Sequence, residues 1–474
     1  MIFGSKYRQG AERKPPFRAE VLSKDLLAAR AAELGEYYSH VQKRARGAKL
    51  QRRFRDNTRI LREAYFSFAD AARNKEVLTA GAEWLLDNYH VIDEQVRDIR
   101  RDLPKGYYKA LPKLTDSEWR GYPRVYRLVC DFLSHSDSIV DTEYLTTFVQ
   151  AYQTKTVLLI GEIWAVPIML RLALVENLRR LAEESVAVAE NRRTAERVCQ
   201  EIIDPAGSAG AEMLIRLVNY AQSNPDVFGY GAAYIMRRLR AKGGPATLTL
   251  QWFDQQLRER GIDANEIARQ EQQSQAADQI SVGNCITALK TIGNLNWREW
   301  FEGVSLVHER LLADPAKVYA LSDFVTRDLY RHRIERFARR SKRTEVEVAE
   351  EVVKIAAEAA QSESSSNESD LRLRHIGYYL IDDGFRALEQ SLGVSATLRN
   401  IFRTWLKRNI FFIYSGSILS VVVAGLVVAL AYVMACGGSW LWIFAVVLFF
   451  GVPVSEFAIN FVQFHERHGQ NTND

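Results

Sequence analysis

Apolar residues recur every three or four positions between Val21 and Ser341, where alanine, leucine, glutamate and arginine are frequent. This period is that of an amphipathic α-helix, and no stretch shows the sustained alternation typical of a β-strand. Turn-forming residues interrupt the pattern at positions 104–106, 121–123, 204–207, 224–226, 243–245 and 314–315. The pattern therefore predicts an all-α, multi-helix domain of about a dozen helices.

One apolar stretch inside this region imitates a membrane span. Val157 to Val175 is mostly apolar but contains Glu162 and Arg171. Each of these charges would cost ~2.5–3.5 kcal/mol near the centre of a bilayer. The helical pattern also continues beyond the stretch into charged sequence. We therefore expect residues 157–175 to belong to the central buried helix of the domain.

Two further apolar runs, Ile410 to Ala435 and Trp440 to Phe464, follow near the carboxyl end. No charged residue occurs between Arg408 and Glu456. As helices, the runs would each be ~38 Å long, which exceeds the ~30 Å hydrocarbon core of a bilayer. The sequence predicts a transmembrane hairpin over 410–464, with helices 410–435 and 440–464. A buried hairpin in a large soluble domain is the less favoured alternative.

Charged and aromatic residues beside these runs predict their orientation. The turn at 436–439 has no Lys or Arg, whereas four cations precede the first run, so we expect both chain ends in the cytoplasm. Residues 396–410 would form an interfacial amphipathic helix, with a plain core helix as the alternative. The predicted membrane-interface residues are Arg399, Arg403, Trp405, Lys407, Arg408, Trp440 and Glu456. For Glu456, a structural and a functional partner remain equally open.

Charge is distributed unevenly over the predicted domains. The formal charge of the whole chain is +5, but residues 1–62 hold 16 Lys and Arg against 6 Asp and Glu. Such an arm suits an anionic membrane surface or the acidic segment 345–370; no nucleic acid is expected, because no binding motif accompanies the charge. The predicted domains are a basic N-terminal helical arm (1–80), an α-helical cytoplasmic domain (81–361), a polar linker (362–370), juxtamembrane amphipathic helices (371–409), the hairpin (410–464) and a cytoplasmic tail (465–474).

Motifs of catalysis are not found in the sequence. No two aspartates are separated by one residue, as a pair that holds Mg²⁺ and a sugar nucleotide would be. A phosphate-binding loop and a zinc-protease motif are also missing. His465 and His468 are more typical of a solvated tail than of a metal site, and His90 of a hydrogen-bonded interior position. The Tyr pairs at 107–108 and 378–379 are more typical of packing than of glycan binding. The sequence thus assigns no catalytic, cofactor-binding or metal residue.

Several segments resemble the amino-terminal region of cyclic β-1,2-glucan synthases. They are residues 82–114, 121–138, 161–181, 281–335, 375–382 (HIGYYLID) and 451–461 (GVPVSEFAINF). The resemblance implies a large enzyme of the bacterial inner membrane that builds and closes a ring of β-1,2-linked glucose. In that family the region is followed by a glycosyltransferase domain, further spans and a phosphorylase-like domain. UDP-glucose is the donor, and Mg²⁺ is expected in the transferase domain rather than in this chain.

The residues and the resemblance together predict a membrane-anchoring, regulatory or positioning region that is not catalytic on its own. Its partners would be the lipid bilayer and a glycosyltransferase domain in cis or in trans, and a truncated or split gene would explain the early end. Whether the chain has any enzyme activity stays open. The alternative is a stand-alone membrane-tethered scaffold that binds a protein partner or anionic lipid through residues 1–62 and the apolar face of residues 398–406.

Overall fold

The computed structural model describes residues 17–42, 49–103, 105–115, 119–203, 210–229, 231–362 and 372–394, with position 409 and scattered positions between 416 and 437. Contacts divide the chain into two units, residues 1–385 and 386–474. None of the helices within these described residues has both the length and the apolar character needed to cross a bilayer. The predicted spans 410–435 and 440–464 lie almost entirely outside the described residues, so the hairpin stays a prediction.

The first unit is built from helices, as the hydrophobic period predicts. In chain order they are α1 Lys24–Tyr37, α2 Lys49–Arg73, α3 Ala80–Asp87, α4 Tyr89–Asp102, α5 Lys105–Ala110, α6 Arg124–His135, α7 Thr142–Gln153, α8 Ile160–Val198, α9 Gly210–Ser223, α10 Ala232–Lys242, α11 Thr247–Glu259, α12 Ala264–Asn294, α13 Trp297–Val304, α14 Leu306–Leu311, α15 Val318–Leu321, α16 Phe324–Ser341, α17 Glu345–Ser362 and α18 Ile376–Ile381. The described helices are more numerous than the predicted dozen, and they range from 4 residues in α15 to 39 in α8. A π-helical turn, Cys199–Ile203, extends α8, and Phe385–Ser391 forms α19 at the boundary of the two units.

A short β-ladder, with an isolated bridge between Lys113 and Pro123, departs from the all-α prediction among the described residues. Strands β1 (Val41–Gln42) and β2 (Lys113–Leu114) pair antiparallel, with Val41 opposite Leu114 and Gln42 opposite Lys113. Two residues are too few to produce a recognisable alternation of apolar and polar positions. The ladder therefore could not be predicted from the sequence.

Helix α8 is the centre of the first unit, and this confirms the interpretation of residues 157–175 as a buried helix. From Ile160 to Ala182 nearly every residue is buried, because α2, α4, α6 and α12 pack around it. Glu162 is fully buried and forms an ion pair with Arg124, whose Nε and Nη2 lie 3.0 and 2.5 Å from its carboxylate oxygens. The charge that argued against a membrane span is thus neutralised inside the protein.

A second buried carboxylate on α8, that of Glu176, accepts hydrogen bonds from side chains of two helices, α2 and α8. Arg53 Nε on α2 lies 2.7 Å from Glu176 Oε2 and Asn57 Nδ2 lies 2.6 Å from the same oxygen, while Arg180 Nε lies 2.9 Å from Oε1. Burial raises the pKa of Glu176, but the hydrogen bonds and charges of Arg53, Arg179 and Arg180 outweigh burial and hold the pKa well below its usual range. This cluster fixes α2 against α8.

Beyond Ala195, the end of α8 and the π-helical turn share a separate small core with α9, α10 and α11. Its centre contains Met213, Leu217, Ile235 and Phe253, each less than 2% exposed. Helices α13 to α18 form another group. In it, α13 contacts α7 and α8, and α17 contacts α14, α16 and α18. That second group of helices contains the polar side chains described next.

Candidate functional site

A cavity of about 410 Å³ lies between α7 and the turn that joins α13 to α14. This volume is within the range of small-molecule sites, ~300–1,000 Å³. Polar and apolar groups share its lining: Gln150, Gln153, Thr154, Glu302, Gly303, Val304, Ser305, Leu306, His308, Glu309 and Leu312. We call this space the α7–α13 cavity.

Two glutamines of α7 hold the turn in place through their amide nitrogens. Gln150 Nε2 donates to the carbonyl of Gly303 at 3.1 Å, and Gln153 Nε2 donates to the carbonyl of Val304 at 2.7 Å. Gln153 is only 6% exposed, and its Oε1 has no hydrogen-bond partner among the described residues. A buried amide oxygen without a hydrogen-bond partner costs free energy, so Gln153 Oε1 is an unsatisfied acceptor.

The carboxylate of Glu302, in the last turn of α13 beside the cavity, is held by two arginines of α16. Arg331 Nη2 pairs with Glu302 Oε1, and Arg327 Nη2 lies 3.1 Å from Oε2. The Arg331 side chain is fully buried, with its guanidinium 5.0 and 5.1 Å from the ring centres of Phe301 and Phe324. The buried guanidinium lies between two aromatic rings and holds the Glu302 carboxylate in place beside the cavity.

His308, on α14, presents an uncharged imidazole to the same space. Its backbone N–H is capped by Ser305 Oγ at 3.2 Å, and its Nδ1 lies 2.9 Å from the hydroxyl of Tyr319. Burial lowers the pKa of His308 to about 4; Glu302 opposes this, and Arg331 adds to it. The ring is therefore neutral at physiological pH.

The hydrogen bond between His308 Nδ1 and the Tyr319 hydroxyl joins α14 to α15. The centres of the two rings lie 5.5 Å apart.

A second polar cluster links α18 to the α14–α15 loop. Asp314 Oδ2 lies 2.8 Å from His375 Nδ1, and His375 Nε2 lies 3.0 Å from the Tyr330 hydroxyl. Asp314 also accepts the backbone N–H groups of Val318, Tyr319 and Ile376, each at 3.1 Å. Burial opposes ionisation of Asp314, but the His375 and backbone hydrogen bonds prevail and lower the pKa of Asp314 below its usual range. With three backbone donors on one carboxylate, the cluster serves to position these elements.

The residues that the sequence predicts as interface or site residues are elsewhere. Arg399, Arg403, Trp405, Lys407, Arg408, Trp440 and Glu456 all lie outside the described residues, as do His465 and His468. The interior prediction for His90 is wrong: it is exposed, because α4 begins at Tyr89 and buries Val91 and Ile92 instead. The packing interpretation of the Tyr pair at 107–108 is confirmed, since Tyr108 is 1% exposed and the Tyr107 hydroxyl donates to Gly161 at 2.7 Å.

The polar side chains that the structure brings together were not singled out from the sequence. Glu302, His308, Asp314, Tyr330 and His375 all fall within segments that carry the family resemblance, 281–335 and 375–382. That coincidence was the only available signal. The Glu302–Arg331 ion pair and the Asp314–His375 hydrogen bond join residues that are far apart in the chain. No local spacing in the sequence could therefore reveal them.

Comparison with known proteins gives one curated relative. No protein-family profile matches the chain. The chain is 31% identical over 449 residues to the cyclic β-(1,2)-glucan synthase NdvB of Rhizobium meliloti (strain 1021). The chain is related to the cyclic β-(1,2)-glucan synthases. The matched residues are 93% of this chain but only 15% of NdvB, so the chain spans a small part of that synthase. The resemblance predicted from the sequence is thus confirmed.

Proposed function

We propose that the chain is the helical positioning region of a cyclic β-glucan synthase system and acts together with a glucosyltransferase domain supplied in cis or in trans. The observation that carries the proposal is the match to NdvB over nearly the whole chain. The fold is consistent with this role, because α8 and its buried ion pairs provide a rigid body on which a partner domain can be oriented.

The anchoring part of the proposal depends on the predicted spans 410–435 and 440–464. In this proposal they insert into the bacterial inner membrane and keep both chain ends in the cytoplasm. UDP-glucose and Mg²⁺ bind to the transferase domain, not to this chain. The proposed lack of independent catalysis is motivated by the sequence, in which no two aspartates are separated by a single residue.

A chimaera tests the positioning role. The segment of NdvB that matches this chain is replaced by the chain itself, and membranes containing the chimaera are supplied with labelled UDP-glucose. We expect cyclic β-1,2-glucan to form. A chimaera that reaches the membrane in normal amounts and makes no glucan, while NdvB does, would contradict the proposal.

A separate assay tests the non-catalytic part. The purified full chain is incubated with labelled UDP-glucose and Mg²⁺, and products are separated by size. We expect no glucan. Polymer formed by the chain alone, and lost on heat denaturation, would show that the chain is itself a transferase.

A further inference from the structure

We propose that the exposed side of α16 lies on an anionic phospholipid surface. This side, which we call the α16 face, consists of Val325, Leu329, His332, Arg336 and Arg339, all of them exposed. They follow one another at three or four residues, so they lie on one side of the helix. The buried residues of α16 lie on the opposite side; they are Tyr330, Arg331, Ile334, Phe337 and Ala338. The α16 face is therefore turned away from the core of the first unit.

The amino end of the α16 face is apolar. Val325 is 71% exposed and Leu329 is 44% exposed, and Leu321, just before the helix, is 87% exposed. Large aliphatic side chains grouped in this way at the surface are typical of a site that binds a protein or a membrane.

The carboxyl end of the α16 face is basic. Positions 336–343 contain no acid and five exposed cations: Arg336, Arg339, Arg340, Lys342 and Arg343. Cations in the last turn of a helix complement its dipole, which accounts for the two arginines of that turn. The dipole does not account for Arg336, Lys342 and Arg343, because its effect is confined to the last turn. A cluster of four or more cations beside an apolar surface is typical of binding to anionic lipid.

The acidic side chains beside the α16 face already have partners. Asp328 Oδ2 lies 3.4 Å from His332 Nε2, and Glu335 Oε2 lies 3.1 Å from His332 Nδ1. Glu347, in the first turn of α17, accepts the backbone N–H of Thr344 at 2.7 Å. The basic end of the face therefore keeps an excess of positive charge.

The combination of an apolar end and a basic end on one helix favours a bilayer as the partner. A phospholipid surface offers acyl chains to the first and phosphate groups to the second, and the two contributions to binding add. The choice of a bilayer rests on the proposed function, which places the chain at the bacterial inner membrane. The requirement for anionic lipid rests on the five cations.

Two cations of the α16 face can be removed without disturbing the fold. Lys342 ends α16 at a φ of 61°, in the left-handed region that favours glycine, so Lys342→Gly removes a charge and relaxes the backbone. Arg339 is 60% exposed, and its Nη2 lies 3.6 Å from Glu335 Oε1, so Arg339→Gln removes a charge at the surface. We call the double substitution Arg339→Gln and Lys342→Gly the α16 variant.

The end of α2 provides a matched control. Lys75 is also exposed and has a φ of 56°, and Arg73 is 78% exposed, with its Nη1 3.1 Å from Asp70 Oδ1. Arg73→Gln with Lys75→Gly, the α2 variant, therefore makes the same change of charge and of backbone elsewhere on the surface.

The experiment measures contact of the α16 face with lipid in the full chain. Val325→Cys, combined with Cys436→Ser, is labelled with bimane; Cys130, Cys199 and Cys285 are buried. A chain labelled instead at Ile215→Cys on α9, a position that is 60% exposed, is the control reporter. Each chain is reconstituted into vesicles of phosphatidylcholine, alone or with an equal amount of phosphatidylglycerol, that contain nitroxide-labelled phosphatidylcholine to quench nearby bimane.

In the anionic vesicles we expect nitroxide to quench the reporter at position 325 at least ~3-fold more than the reporter at 215, and quenching at 325 to be weak without phosphatidylglycerol. The α16 variant should lose at least about half of this quenching while its unfolding temperature does not fall, and the α2 variant should keep it.

Three results would overturn the proposal: equal quenching of the two reporters, quenching at 325 that does not depend on phosphatidylglycerol, and equal losses in the two variants. A bimane spectrum at 325 that changes with protein concentration but not with lipid composition would place a second copy of the chain on the α16 face, and would also overturn it.

Failure of this inference can be separated from failure of the proposed function. If the NdvB chimaera makes glucan but the reporter at 325 is not quenched, the α16 inference falls and the positioning role stands. If the reporter is quenched in anionic vesicles and the α16 variant prevents it, but the chimaera is inactive, the lipid-binding face stands and the positioning role falls.

Discussion

Two buried or half-buried carboxylates, Glu176 and Glu302, are each held by arginines but in different surroundings. Glu176 is fully buried, and Asn57 joins three arginines around its two oxygens. Glu302 also meets two arginines, yet its side chain is 17% exposed and borders the α7–α13 cavity. The first carboxylate is enclosed by protein donors, whereas the second has a surface on which a ligand can act.

This difference separates a structural ion-pair cluster from a candidate site. At Glu176, Arg53 and Asn57 of α2 bind that helix to α8. At Glu302 the arginines hold a carboxylate beside the cavity, and Gln153, which also lines it, has a buried Oε1 without a hydrogen-bond partner among the described residues. Substitutions at the first region should change stability alone, and substitutions at the second should change binding more than stability.

The largest expected effect is the loss of Glu176. Glu176→Ala leaves Arg53 and Arg180 buried without their carboxylate, which should lower the free energy of unfolding by ~3–5 kcal/mol. Urea denaturation followed by circular dichroism measures it. Glu184→Ala, on the same helix but only half-buried, is the control and should change stability by less than ~0.5 kcal/mol. Equal effects of the two substitutions would show that the cluster is not structural.

A smaller effect is expected at Gly377, which lies against His375 and Tyr330. A Cβ there would lie 2.4 Å from His375 Nε2 and 2.5 Å from the Tyr330 hydroxyl. Gly377→Ala should therefore force the two side chains apart and cost ~1–3 kcal/mol. Gly293→Ala, in open helical space, should instead be neutral or slightly stabilising. Thermal unfolding of both variants measures the difference, and a neutral Gly377→Ala would contradict the described packing.

Protonation of His308 should make the free energy of unfolding depend on pH between about 4 and 6.5. Glu176 should not contribute to the pH dependence in this range. The pKa of His308 is about 4 in the folded chain and 6.5 in an unfolded chain. The unfolded state therefore binds more protons between these values, so stability is full above pH 6.5 and is lost as the pH falls toward 4. We expect a loss of ~1–2 kcal/mol, after allowance for contact of the ring with water. His308→Gln should remove this part of the pH dependence, and an unchanged profile would contradict it.

The smallest effect is expected at the start of α7, which carries the two cavity glutamines. Asp141 caps the helix by accepting the backbone N–H groups of Glu143 and Tyr144 at 2.8 and 3.0 Å. Asp141→Ala should cost ~1 kcal/mol in the free energy of unfolding. Asp141→Asn, which keeps an acceptor, should restore most of it. If Asp141→Ala lowered the free energy of unfolding more than Glu176→Ala does, the expected ranking of the two sites would be wrong.

Periodicity was sufficient to predict the helical fold and the buried role of α8, but only some of the breaks between helices, such as those at 121–123 and 314–315. Glu162 and Arg171 within an apolar run were the decisive residues, since the fold neutralises Glu162 with Arg124. The candidate site could not be predicted, because Glu302 meets Arg331 across 29 positions and Asp314 meets His375 across 61. Such pairings depend on tertiary packing. His90 was misjudged because its exposed position depends on where α4 begins.

The central proposal, that the chain is the positioning region of a β-glucan synthase system, is tested most directly by membranes that contain the NdvB chimaera and are supplied with labelled UDP-glucose. The account predicts that the chimaera forms cyclic β-1,2-glucan as NdvB does. A chimaera that is present in the membrane in normal amounts and forms no glucan would contradict it.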